Sequence, residues 1–283
     1  MGTIRAAYAM SHSPGMTGFP EIADASQATA VHDAFDVLRR HLAGVGADVL
    51  VGISVDHFTN FSLGNLPTFA IGSAGGYTGP SAGLAGFLRL EPRTFPGHAT
   101  LGKALLTEAI RAGFDPSSVG GDFVFDENFC VPLHFLGAVD IPFVPIIVNA
   151  VEPPYPSLRR CWQLGCTIGR FLEAQSIAER VVLMATGGLS HSVGTPEAGR
   201  IDVGFDRRVL ALLAEGKAEL LADLPPEDID RAGNGAQEVR AWTVLAGAVG
   251  SALFDVLVYE PIPEWLTGTA AVTARLGNEQ RGG

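Results

Sequence analysis

The sequence predicts an α/β protein: a single domain over residues 1–283 with a central, largely parallel or mixed sheet flanked by helices and a site at the strand carboxyl ends. Three observations carry that reading. Five short apolar runs alternate with longer segments in which apolar residues recur at helical spacing, the pattern of a sheet covered by helices. Of the 283 residues, 47% are hydrophobic and 17% charged, enough for a substantial core. No internal repeat, charge block or linker-like stretch divides the chain.

The strand candidates are "IRAAYAM" (4–10), "DVLVGIS" (48–54), "IPFVPIIVNAV" (141–151), "RVVLMAT" (180–186) and "FDVLVYE" (254–260). Between the first two, Val31, Phe35, Leu38, Leu42 and Val45 recur at helical spacing, and Gly44 or Gly46 ends the helix. His32 and His41 fall off that stripe and read as solvated. From 61 to 98 the chain carries eight glycines and four prolines, too many breakers for a long element, and reads as a covering loop region. Further helices are predicted at about 99–113, with His98 at its entry, and at about 157–174, 202–222 and 235–252. A polar loop at 223–235 precedes the last of these.

Composition excludes several classes of function. With 30 acidic and 19 basic residues the formal charge is -11, which opposes binding to nucleic acid or an anionic membrane surface and favours a small-molecule partner. Cys130, Cys161 and Cys166 are odd in number and form no CxxC pair, so neither a disulfide framework nor a thiolate zinc site is indicated, and a reducing cytoplasm is the expected compartment. No signal peptide or membrane-spanning stretch is read. "SAGG" with "YTGP" lacks the lysine that a phosphate loop needs.

Three of the apolar strands run into a histidine: "AAYAMSH" at His12, "VGISVDH" at His57 and "VVLMATGGLSH" at His191. In a largely parallel sheet these ends share one edge, where ligands of α/β proteins bind. Two imidazoles and one carboxylate on one face of a metal leave open positions, as in non-haem Fe(II) oxygenases. Glu238, in "GNGAQEVRAW" before an apolar helix, is the candidate carboxylate; it also suits a plain favourable charge at a helix N-terminus.

The motifs "MSHSPG", "VDHFTNF", "PTFAIG", "YTGP", "GGLSHS" and "GNGAQEVRAW", in that order across nearly the whole chain, resemble the class III extradiol ring-cleavage dioxygenases, the family of the protocatechuate 4,5-dioxygenase β subunit. The resemblance implies a catalytic domain with Fe(II) held by His12, His57 and Glu238, and His191 as acid/base on a catechol or aminophenol cleaved with O2. Asp56 would then be a neighbour that orients His57. One departure stands out: where many relatives have an Asp-His pair, "FDENFCVPLHF" has Asp126 and Glu127. Glu127 is expected to face the substrate as a catalytic residue, either ionised and repelling a carboxylated ring or protonated and acting as a second acid. Asp126 is read as a substrate contact or a turn carboxylate, and Asn60 and Phe58, with Phe61, as pocket lining or plain packing. His134 is read as a core histidine beside Phe135 or a substrate contact. Members of this family form homo- or hetero-oligomers. Two alternatives stay open: a non-catalytic subunit of a hetero-oligomeric dioxygenase, and a zinc hydrolase on the same scaffold.

Overall fold

The computed structural model describes residues 1–277, so the last six residues of the expected domain lie outside the described part. Ten strands occur in it: β1 (Thr3–Met10), β2 (Val49–Ser54), β3 (Phe69–Gly72), β4 (Gly76–Gly79), β5 (Arg93–Pro96), β6 (Ser117–Val119), β7 (Phe143–Val148), β8 (Arg180–Thr186), β9 (Leu253–Ile262) and β10 (Thr267–Arg275). Eight of them form one mixed sheet in the order β6-β3-β7-β2-β8-β1-β10-β9, and β4 and β5 pair apart from it. The inner strands β7, β2, β8 and β1 are mutually parallel. Their carboxyl ends therefore lie on one edge.

The helices are α1 (Gly15–Gly18), α2 (Ala25–Val45), α3 (Ala82–Leu88), α4 (Ala99–Arg111), α5 (Glu127–Leu136), α6 (Leu158–Ala174), α7 (Val203–Ala214), α8 (Pro226–Ala232) and α9 (Val239–Val249). They cover both faces, which is why β2 and β7 are buried at every position and, Ser54 apart, apolar instead of alternating. Val51, Ile53 and Leu183 join the core against α4, α6, α7 and α9. Leu50, Val182 and Met184 join the opposite core against α2 and α5. Asp24 caps α2 by accepting the N–H groups of Ser26 and Gln27, and Gly46, at φ 61°, ends it where the sequence indicated.

The packing of α6 on α9 bears on the site. A Cβ on Gly165 of α6 would lie 2.0 Å from the carbonyl oxygen of Val244 on α9, so only glycine lets the two backbones approach this closely. That approach seats α9 across the sheet and fixes where the turn before it, and Glu238, must stand.

Several expectations are corrected. The 61–98 stretch is not only loop: it supplies β3 of the main sheet, the β4–β5 pair and α3. The helix expected at 202–222 is split at Gly216, φ 68°, into α7 and a 3-10 turn at Ala218–Asp223. Likewise the last helix begins as a 3-10 turn, Asn234–Glu238, before α9. His32 is not solvated, since its Nε2 is buried and its ring packs beside Phe135 and Trp265. The ring of His41 lies 3.0 Å from the Tyr8 hydroxyl rather than in water. Among the described residues no helix is long and apolar enough to cross a membrane.

Candidate metal centre and cavity

His12 and His57 follow β1 and β2, His191 follows β8, and Glu238 ends the turn that leads into α9. The parallel strands bring these four together. Ligand atoms of His12, His57 and Glu238 lie within 4.8 Å of one another. His57 Nε2 is 3.1 Å from Glu238 Oε1 and His12 Nε2 is 3.5 Å from Glu238 Oε2, while the two imidazole planes stand edge to face. His191 Nε2 is 3.9 Å from the same carboxylate, and the backbone N–H of Gly188 donates to its Oε2.

What lies behind each imidazole decides which nitrogen faces the cluster. His57 Nδ1 sits 3.1 Å from Asp126 Oδ1, and the His57 backbone N–H donates to Asp126 Oδ2 at 3.0 Å. A carboxylate only accepts, so Nδ1 carries the hydrogen, and Nε2, which faces the Glu238 carboxylate at 3.1 Å, is the nitrogen a metal would take by displacing a proton. For His12 the chain of reasoning starts in α5. Pro132 has no N–H to give the carbonyl of Asn128 four residues earlier, and the Thr186 hydroxyl donates to that carbonyl instead, at 2.7 Å. With its hydrogen so placed, Thr186 Oγ1 accepts from His12 Nδ1 at 3.2 Å, and His12 Nε2 is again free. Two imidazoles that would each give up the Nε2 position, with one carboxylate, make a set that fits a divalent ion with open positions.

Burial works against a charged His57, but the carboxylates of Asp126 and Glu127 and the bonds to Asp126 and Glu238 outweigh it and hold its pKa well above the ordinary value. Burial pushes the Glu238 carboxyl up, yet the imidazoles of His12 and His191 win and hold it well below the usual carboxylate range. Burial lowers the pKa of His191 against the pull of Glu238. Its Nδ1 faces the Leu189 carbonyl at 3.2 Å, so Nε2 is the atom left to accept a proton. A Cβ on Gly235 would fall 2.0 Å from that Nε2, which explains the glycine beside it in "GNG".

The loop before His191 has its own anchor. Buried Asp206 on α7 accepts the Ser190 N–H at 2.7 Å and the hydroxyls of Ser190 and Tyr259 at 2.8 Å each. Burial pushes its carboxyl up to about 6.

The cluster opens on a cavity of about 560 Å³ lined by His12, His57, His191, Glu238 and Glu127, with Phe58 also on its wall. Glu127 Oε1 lies 3.5 Å from His57 Nδ1, and burial raises its pKa. The other sequence candidates stand elsewhere. Asp126 is fully buried behind His57 and also accepts the Asn128 N–H, capping α5. Asn60 is a strut: its amide donates to the Val124 carbonyl and accepts the Val124 N–H, leaving no group for a ligand. His134 lies on the exposed side of α5, edge to face with Phe135, neither core nor cavity. Asp56 does not touch His57; it accepts the N–H groups of Asn60 and Phe61 and folds their loop back. Sequence reasoning missed Thr186, Asp206 and Glu152. Glu152 was within reach of the strand-end argument, because it follows β7 as the histidines follow β1, β2 and β8.

A family model described as the catalytic LigB subunit of aromatic ring-opening dioxygenase matches residues 6–270. Similar curated proteins include the 2,3-dihydroxyphenylpropionate/2,3-dihydroxicinnamic acid 1,2-dioxygenases of Escherichia coli strains 55989 and K12 / DH10B. Each is 25% identical over 228 residues, covering 63% of this chain and 72% of the relative. Among solved structures, that of an uncharacterized protein from Escherichia coli K12 superposes with a TM-score of 0.58 at 13% identity, over 95% of this chain and 98% of that one, a likeness of fold alone.

Proposed function

We propose that this chain, which belongs to the family of catalytic LigB subunits of aromatic ring-opening dioxygenases, is an Fe(II)-dependent extradiol enzyme that opens the ring of a catechol or aminophenol with O2. The observation that carries the reading is the convergence of His12 Nε2, His57 Nε2 and the Glu238 carboxylate on one cavity wall, with His191 beside them. Fe(II), when bound, supplies open positions for the diol and for dioxygen and a route for electrons between them.

The protein's own groups do the rest. Asp126 and Thr186 fix a hydrogen at Nδ1 of each ligand imidazole, so that Nε2 is the nitrogen offered to a metal. His191 accepts a proton from a substrate hydroxyl at Nε2 and returns one later, which a neutral imidazole next to the ring oxygens is suited to do. Trp265 and Val151 line the cavity that would take the ring and give it an apolar wall. The same reading expects a cytoplasmic enzyme that works as a homo- or hetero-oligomer.

Metal analysis joined to oxygen uptake over a panel of catechols tests the proposal. The protein should hold one equivalent of iron and consume oxygen with at least one catechol, and His57→Ala should lose the iron while keeping the fold. A full equivalent of iron in His57→Ala at unchanged affinity overturns the ligand set. Zinc in place of iron, with no oxygen uptake, turns the reading to a hydrolase.

A further inference from the structure

We infer that the cavity selects a diphenol whose ring substituent bears no negative charge and ends in an apolar group, and that Glu127 and Glu152 enforce that choice. The inference rests on the ring-cleavage reading above and names its substrate class.

The charge inventory of the cavity is one-sided. Its described lining includes Glu127, Glu152 and Glu238 and neither lysine nor arginine. Glu238 faces the three histidines. Glu127 stands inside the wall next to His57, and Glu152 is exposed at the mouth after β7. A carboxylate on a substrate needs a cation or several free N–H or O–H donors to replace the water it loses. The hydroxyls and the indole of this lining are already engaged, as is one N–H of the Asn234 amide. Asn234 donates to the Val193 carbonyl, Ser13 to that of Trp265, Thr267 to that of Gly268 and the Trp265 indole to that of Phe19. The Gly188 N–H is taken by Glu238. An anionic substituent would meet two carboxylates and neither a lysine nor an arginine.

The rim supplies the positive half of the selection. Phe58, Phe87, Val193 and Leu266 line the cavity yet stay 48%, 48%, 57% and 42% exposed, apolar surface that an apolar substituent would cover. Phe58 and Leu266 stand on left-handed backbone, at φ 59° and 62°, a conformation that residues other than glycine seldom adopt. Two side chains are thus held at the opening by backbone geometry their residue types disfavour.

The test uses the full-length protein loaded with Fe(II) and kept free of oxygen, titrated by calorimetry with three catechols. Each carries a two-carbon chain at ring position 3, ended by a methyl, a carboxylate or an ammonium group. The methyl-ended catechol should bind tightest and the carboxylate-ended one weakest, by roughly 30-fold or more. In the Glu127→Gln, Glu152→Gln double variant that gap should shrink to about threefold. A carboxylate-ended probe that binds as tightly as the methyl-ended one overturns the inference, as does a gap unchanged in the double variant. Tighter binding of the ammonium-ended probe also overturns it, because the glutamates would then form an amine site. If none of the three binds while the iron stays in place, the ring-cleavage reading falls and takes this inference with it.

Discussion

Replacing Asp126 by asparagine should weaken metal binding without unfolding the protein. The carboxylate accepts three hydrogen bonds: His57 Nδ1 at 3.1 Å, the His57 backbone N–H at 3.0 Å and the Asn128 N–H at 2.8 Å. Asparagine has nearly the same shape and keeps one oxygen, so the cap of α5 survives. Its NH2 group, however, replaces Oδ2 and confronts the His57 N–H donor to donor, and the negative charge opposite Nδ1 is gone. The loss is about one charge-assisted hydrogen bond, ~1.5–3 kcal/mol. Because His57 is the residue released, the loss should appear in metal affinity, where it equals about 10- to 100-fold at ~1.4 kcal/mol per decade. Competition for Fe(II) against a chromophoric chelator without oxygen measures it, and thermal unfolding of the metal-free protein checks the fold. A dissociation constant within about twofold of wild type, with the fold intact, would refute the claim that Asp126 sets the His57 tautomer.

Two further outcomes follow from the site. His191→Ala should keep its iron, since His191 Nε2 stands 3.9 Å from Glu238 outside the three-residue cluster, yet lose turnover by about two to four orders of magnitude; near-normal single-turnover rates would remove it from proton transfer. Asp206→Asn should flatten the pH dependence of stability. The folded-state pKa of Asp206 is raised from 3.8 to about 6, so its neutral form favours folding: the contribution is full below about pH 4 and lost as pH rises through 6, up to about 3 kcal/mol. Denaturant unfolding at pH 4 to 7 should therefore decline less with pH in the variant than in wild type. Parallel curves would show that Asp206 is not the source.

How far the sequence could be read depended on how strongly each element declares itself alone. The inner strands are dominated by apolar residues and were legible as short runs, and the histidines at their ends pointed to the shared edge. What stayed hidden owes its structure to neighbours. β10, "TGTAAVTAR", has small and modestly polar residues and becomes a buried strand because β1 and β9 flank it. β3 has only four residues, too few for a period to show, among glycines and prolines that suggested loop. α5 contains Pro132 in its interior, which argues against a helix until the Thr186 hydroxyl is seen to take up the carbonyl that Pro132 leaves unpaired. The same blindness misassigned Asp56 and hid what Asp126 supports. Adjacency in the chain favoured Asp56 as the support for His57, whereas the fold brings Asp126 there from 69 residues away.

That separation is small beside the 181 residues between His57 and Glu238 in the cluster itself. β1, which leads to His12, is completed on one side by β8 and on the other by β10, near the far end of the chain. No partly folded chain that lacks either partner of β1 contains the finished cluster. An ion held there recognises only the assembled sheet, so its binding energy adds to the stability of the whole molecule, about 4 kcal/mol when free metal is a thousandfold above its dissociation constant. Release of the ion and collapse of the fold are then linked equilibria. Chelation should lower the unfolding temperature of the entire chain, not loosen one corner of it.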